Sequence, residues 1–200
     1  MKEYDIIIIG ASAAGISAAE QARKASDVLS IACFTEETRA AYYRPMLTEL
    51  MGNPRVMEKP AFTVRPASWF TERRVDLHTE STVTQLDLTR RVIATQDGRE
   101  FSWKRCILAT GSVPFVPLPE ALALPGVFTC RTWADAEAIG DAASKAARVV
   151  VIGGGLLGLE AAHFLHAPGR SVTVVELMPR ILPSQLDEPV SAWLQQRIQS

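Results

Sequence analysis

Apolar residues gather into short blocks along the chain. Ile6–Ile9 is an unbroken β-branched run that Gly10 ends, the pattern of a parallel strand buried on both faces. The Ala-rich stretch Ala13–Lys24 predicts a helix, and Val28–Phe34 predicts a second strand. Together they form a strand–glycine turn–helix–strand unit. The order returns about 140 residues later, with a strand over Arg148–Ile152, a turn over Gly153–Gly158, a helix over Leu159–Leu165 and a strand over Ser171–Glu176. That spacing is too long for a solenoid repeat and predicts two nucleotide-type units.

Between the copies the texture changes. Thr82–Leu88, Arg91–Gln96 and Glu100–Trp103 suit short strands, and Asp97-Gly98 signals a two-residue hairpin. These predict a small antiparallel meander. Cys106–Ala109 predicts one more buried strand, closed by Thr110-Gly111. Val113–Pro125 holds four prolines and suits a linker. Thr132–Lys145 predicts a helix with Thr132 as its cap and Asp135 in the capping-box position. A last helix is expected over Pro189–Gln199, where no terminal cap is visible. The expected fold class is α/β, with two Rossmann-like units, a small antiparallel β-meander and a truncated second unit. The expected division is 1–115, a linker 116–146, and 147–200.

Composition narrows the function. The 200 residues are 48% hydrophobic and carry a formal charge of −1, so no global field recruits nucleic acid or an anionic membrane. The longest mostly apolar stretch, Val149–Leu159, is short for a membrane helix. The opening residues lack the length and cleavage site of a signal peptide. Cys33, Cys106 and Cys130 are scattered, which argues against a disulfide framework and predicts a cytoplasmic setting. His78, His163 and His166 show no metal spacing. Trp69, Trp103, Trp133 and Trp193 suit packing better than a platform for bases.

The candidate chemistry sits in the two turns. Gly10-Ala11-Ser12-Ala13-Ala14-Gly15 keeps the first and third glycines of G-x-G-x-x-G and places small Ser12 at the second. The first glycine permits the tight turn, the third permits close helix–strand packing, and the helix N-terminus offers N–H groups to phosphate. Taken alone it is also the pattern of an ordinary strand–helix turn. Gly153-Gly154-Gly155-Leu156-Leu157-Gly158 matches the fingerprint fully. Glu176 follows Gly153 by 23 residues, the position of an acid that accepts the adenosine ribose hydroxyls. In the first unit Thr35 takes that place, so the acid is Glu36 or Glu37. We prefer Glu36; the other reading makes both acids solvated loop residues.

Tyr42-Tyr43-Arg44-Pro45-Met46-Leu47, Ile107 through Pro114, Leu124-Pro125-Gly126-Val127, Arg131-Thr132, Gly153–Glu160 and Glu176 through Asp187 resemble the pyridine-nucleotide–disulfide oxidoreductase superfamily in order and spacing. The resemblance covers almost the whole chain. It is to the branch without a redox disulfide, which holds rubredoxin reductases, oxygenase ferredoxin reductases and the flavin part of NADH-dependent nitrite reductases. It implies units of the glutathione-reductase type and the cofactors FAD and NAD(H). For FAD it implies Gly10, Ser12, Ala14, Gly15, Glu36, Arg44, Pro45, Val83, Ala109, Thr110 and Gly111, with Arg44 on the pyrophosphate and Val83 by the adenine. For NAD it implies Gly153, Gly155, Leu156, Leu157, Gly158, Glu160 and Glu176. Glu160 is the candidate beside the nicotinamide; the alternative is an exposed first-turn acid favoured by the helix dipole. No certain catalytic residue is named, because hydride transfer needs no side-chain acid or base.

Three departures matter. Thr48 and Glu49 stand where oxygenase ferredoxin reductases carry a Lys near the flavin. The late Gly-Asp segment of the superfamily is not found, since Gly140-Asp141 follows a helical stretch. No cysteine pair or flavin-adjacent thiol is present. The expected activity is electron transfer from NADH through FAD to a small redox protein such as rubredoxin. The alternatives are the flavin module of a nitrite-reductase-type enzyme and a non-catalytic nucleotide-binding fragment. Residues 1–200 alone are expected to be inactive and to self-associate.

Overall fold

A computed structural model describes residues 1–39, 41–58 and 60–199. By contacts the chain forms two compact units, Met1–Tyr43 with Lys59–Val113, and Arg44–Glu58 with Pro114–Ser200. Each is α/β.

In the first unit, β1 (Lys2–Ile9) lies at the centre of a six-stranded sheet of order β3-β2-β1-β6-β5-β4. The parallel part is β3 (Val75–His78), β2 (Ile31–Phe34), β1 and β6 (Glu100–Leu108). β5 (Val92–Thr95) runs antiparallel to both β6 and β4 (Val83–Asp87). Ile7 and Ile8 are both fully buried but enter different cores. Ile8 joins Ile16 and Ala19 of α1 (Ala13–Ala25), with Trp69 and Phe70 of α3 (Ala67–Glu72). Ile7 joins Tyr4, Phe34, Ile93 and Phe101 on the other face. The unbroken apolar run thus has its physical cause in two cores that claim alternate residues.

Three expectations change here. The strands expected at 100–103 and 106–109 are one strand. The charged pair Lys104-Arg105 interrupts the apolar pattern without interrupting the backbone, and Lys104 Nζ reaches Asp5 Oδ1 at 2.8 Å. Its first part is shared, since Phe101 and Ser102 pair with Lys2 and Glu3 on one side and with Ile93 and Val92 on the other. The hairpin loop has three residues, Gln96–Gly98, because Thr95 N bonds Arg99 O at 2.9 Å and Gly98 takes φ +81°. β2 begins at Ile31, and Val28 is 90% exposed. The buried Arg23 guanidinium donates to the carbonyls of Ser26, Asp27 and Leu29, which removes them from the ladder.

In the second unit, β7 (Arg148–Ile152) and β8 (Ser171–Val175) pair in parallel across α5 (Leu156–Leu165). α5 starts three residues earlier than expected. α4 (Trp133–Ser144) carries the expected capping box between Thr132 and Asp135. α6 (Glu188–Gln199) follows, with Ser191 Oγ donating to Ile181 O at 2.7 Å. Gly140-Asp141 lies inside α4, as its helical context implies.

The pattern did not anticipate α2 (Leu47–Gly52) or α3. α2 groups residues 44–58 with the second unit, although the expected division at 115 counts them with the first. A Cβ on Gly52 would stand 2.0 Å from Phe164 O of α5, and one on Gly140 of α4 would stand 2.7 Å from Met51 O. α2 is therefore packed backbone to backbone against both helices. The proline-rich stretch forms a 3-10 turn, Pro119–Ala123, within irregular, largely exposed chain. No helix among the described residues is long and apolar enough to cross a membrane.

Candidate nucleotide-binding sites

Each unit places a glycine turn at the C-terminal end of its first strand, β1 or β7. In the first, Gly10 has φ +108°, and a Cβ there would meet Ala109 O at 2.1 Å. Gly10 N donates to Phe34 O, and Ala109 N donates to Ile9 O, both at 2.8 Å. A Cβ on Gly15 would stand 1.8 Å from Gly10 O, so a glycine is required for the helix to start this close to the strand. Ser12 is the N-cap residue of α1, and its carbonyl accepts from Ile16 N at 2.9 Å. Ala13 and Ala14 are exposed at the helix start, where N–H groups have no intrahelical acceptor. The structure thus brings Gly10, and Gly15 behind it, against Ala109 and Thr110.

The neighbouring strand, β2, leads into Glu36 and Glu37. Ser81 N donates to Thr35 O at 2.8 Å and Glu80 N donates to Glu37 O at 3.2 Å, so the segment that leads into Val83 crosses beside residues 35–37. Val83 packs against the Phe34 cluster. Glu37 accepts from the Tyr42 hydroxyl, whereas Glu36 is exposed. Arg44 and Pro45 belong to the second unit, in the 3-10 turn Arg44–Met46. Arg44 Nη1 donates to Arg131 O at 2.7 Å, next to the capping box of α4.

In the second unit Gly153 repeats the geometry, with φ +114°, and its N–H donates to Val175 O at 2.7 Å. A Cβ on Gly158 would stand 1.9 Å from Gly153 O. Nothing lies within 4 Å of a Cβ built on Gly155, the N-cap of α5, so the backbone there faces open space. Leu156 and Leu157 in the first turn are 59% and 65% exposed. Open space before a helix N-terminus that follows a glycine turn fits a pyrophosphate.

Glu176 sits just after β8. Its carboxylate accepts from Met178 N at 2.9 Å and from Gly154 N at 2.6 Å, and these backbone donors hold it below the usual carboxylate range. Two accepted bonds leave lone pairs on a half-exposed carboxylate. Gly154 was not among the expected site residues. A Cβ there would stand 3.0 Å from Glu176 Cβ, so the middle of the glycine triplet lets the acid reach the turn. The triplet itself was the signal for it.

Glu160 is half-buried in the second turn of α5, and its Oε2 accepts from Thr48 Oγ1 at 3.3 Å. Thr48 and Glu49 were read from sequence as standing in the stretch of a missing Lys, and this contact of Thr48 across 112 residues had no sequence signal. Cys33 is buried, Cys106 and Cys130 are half-buried, and all three are free thiols. Cys130 lies in irregular chain. Trp69 and Trp133 are buried as packing residues, whereas Trp193 is 57% exposed. Among the described residues no group of His, Cys, Asp or Glu is placed to hold a metal.

Residues 4–200 match the family described as pyridine nucleotide-disulphide oxidoreductase. The chain belongs to that family. Members of this pyridine nucleotide-disulphide oxidoreductase family use FAD and NAD(P)H. The chain is 36% identical over 195 residues to the large subunit of nitrite reductase [NAD(P)H] from Klebsiella oxytoca, covering 96% of this chain and 20% of that protein. It is 33% identical to rubredoxin-NAD(+) reductase from Pseudomonas putida, covering 88% of this chain and 46% of the relative. The ferredoxin reductase of the CYP199A2 system from Rhodopseudomonas palustris superposes with a TM-score of 0.82 at 29% identity, over 96% of this chain and 48% of the other. The chain therefore spans half or less of the length of these relatives.

Proposed function

We propose that the chain is the cofactor-binding part of an FAD-dependent oxidoreductase in which a hydride passes from NADH to the flavin and electrons continue to a small redox protein, such as a rubredoxin. The observation that carries this reading is the paired construction, with one glycine turn opening onto a helix N-terminus, and an acid at the next strand end, in each unit. Gly10, Ser12, Ala14, Gly15, Ala109, Thr110 and Gly111 would hold the FAD phosphates and flavin side, Glu36 the ribose and Val83 the adenine. Arg44, with Pro45 fixing its turn, would supply a guanidinium for two phosphate oxygens. Gly153, Gly155, Leu156, Leu157 and Gly158 would hold the NAD pyrophosphate, Glu176 the ribose, and Glu160 would face the nicotinamide.

Glu176 also sets the nucleotide. Its ionised carboxylate accepts both ribose hydroxyls and repels a 2′-phosphate. Arg180, the next cation in sequence, spends Nη2 on Pro183 O at 3.2 Å. Hydrogen bonds to charged groups contribute roughly 1.5–3 kcal/mol, so NADH is favoured over NADPH by about tenfold or more. Steady-state kinetics of the full-length protein with both nucleotides test this. Equal or better efficiency with NADPH would overturn it.

The flavin module of a nitrite-reductase-type enzyme is the second reading, favoured by the 36% identity over 195 residues. Assay of the reduced full-length protein against rubredoxin and against nitrite separates the two. Bound flavin that fails to bleach with NADH would instead make the chain a nucleotide-binding module without turnover. The free thiols support a cytoplasmic setting.

A further inference from the structure

We infer that Thr48 is a positioning residue whose hydroxyl holds the Glu160 carboxylate toward the nicotinamide half of the dinucleotide, an inference that rests on the reading of Glu160 given above. Thr48 is 6% exposed and lies in the first turn of α2. The Thr48 hydroxyl donates to Glu160 Oε2 across a 3.3 Å contact.

The helices fix this pair from below. Gly52 lies one turn after Thr48, and Phe164 lies one turn after Glu160. A Cβ on Gly52 would meet Phe164 O at 2.0 Å, so the two backbones touch there. Contacts 48–160 and 52–164 advance together, so α2 and α5 run side by side in the same direction. α2 cannot slide along α5 without breaking the backbone contact, so the Thr48 backbone is held beside Glu160. The other flank is fixed by α4, where Gly140 meets Met51 O and Arg131 O accepts from Arg44. A helix of six residues therefore carries the hydroxyl that orients the candidate nicotinamide acid, and its preceding turn carries the candidate phosphate arginine.

The test uses the FAD-loaded protein made from its complete coding sequence. Calorimetry gives affinities for NAD+ and for ADP-ribose, which lacks the nicotinamide. The unaltered protein should bind NAD+ more tightly. Thr48→Val should cut that advantage by up to roughly tenfold, with ADP-ribose binding unchanged. Thr48→Ser should retain it. The limiting rate of flavin reduction by NADH should fall in the Val variant and recover in the Ser variant. If Glu160→Gln changes neither the affinity ratio nor the rate, or if NAD+ and ADP-ribose bind the unaltered protein equally, Glu160 does not hold the nicotinamide and both readings fall. If Glu160→Gln lowers the ratio but Thr48→Val does not, the role of Glu160 stands and that of Thr48 is overturned. Should Thr48→Val fail to retain FAD, Thr48→Ala takes its place, and a Ser variant as impaired as the Ala variant overturns the proposal.

Discussion

At the residue scale, burial separates groups that work from groups that pack. Burial pushes the Cys33 thiol up to about 12, and burial with the Asp135 charge pushes Cys130 up to about 11. Burial also raises Cys106. At pH 8 a thiol with a value near 12 is only about one part in ten thousand thiolate, the reactive form. Iodoacetamide should therefore leave Cys33 unlabelled in the native protein at pH 8 and label it once the protein is unfolded. Replacing all three cysteines with Ala in the full-length, FAD-loaded protein should leave NADH-driven flavin reduction largely intact. Loss of reduction with unchanged flavin content would show that a thiol takes part. Glu36 and Glu37 show what sequence leaves open at this scale. Adjacent acids have the same local pattern, and the Tyr42 hydroxyl, folded back from five residues away, engages Glu37.

Elements were legible where the cause is local. Both glycine turns and the Thr132–Asp135 capping box follow from residues within a few positions of one another. Boundaries set by distant groups were not legible. β2 looked seven residues long because Val28 and Leu29 are apolar, but Arg23 takes the carbonyls around them. The same guanidinium donates to Arg73 O and Arg74 O, which tethers the turn after α3 and lets β3 start beside β2. Arg23 is 6% exposed and satisfies five carbonyls. Arg23→Ala should cost roughly 3 kcal/mol or more, because each orphaned buried acceptor costs about 1–3 kcal/mol. Arg23→Lys should recover little, since an ammonium has three donors and no planar fork. Urea unfolding midpoints check both, and an unchanged midpoint for Arg23→Ala would refute this account. α2 was invisible for a related reason. Its six residues carry no helical period, and its place comes from Gly52 and Gly140, glycines far from each other in sequence.

At the scale of the whole molecule, the paired units were readable because their pattern occurs twice, while the grouping of residues 44–58 depends on packing that no local pattern encodes. The two-stranded sheet of the second unit leaves Val150, Ile152 and Val175 62%, 68% and 50% exposed, and Leu177 just beyond it 97% exposed. Uncovered apolar residues beside open strand edges invite association. Residues 1–200 produced by themselves should therefore self-associate and hold FAD weakly or not at all. Sedimentation and visible absorbance decide this, and a monomer with stoichiometric flavin that NADH bleaches would contradict it.

β6 has a consequence for how such a chain can vary over time. One face of the meander and the central parallel ladder are read off the same nine residues, and Ala109 at their end abuts Gly10. A single added residue between Phe101 and Leu108 would turn every later side chain to the opposite face and displace Ala109 from the glycine turn in the same stroke. The loop Gln96–Gly98 lies outside both ladders. In a library of one-residue insertions selected for flavin retention, survivors should populate that loop and be missing from β6. The meander and the nucleotide turn are thus bound to one length, and lineages of this fold can lengthen the hairpin without ever lengthening its spine.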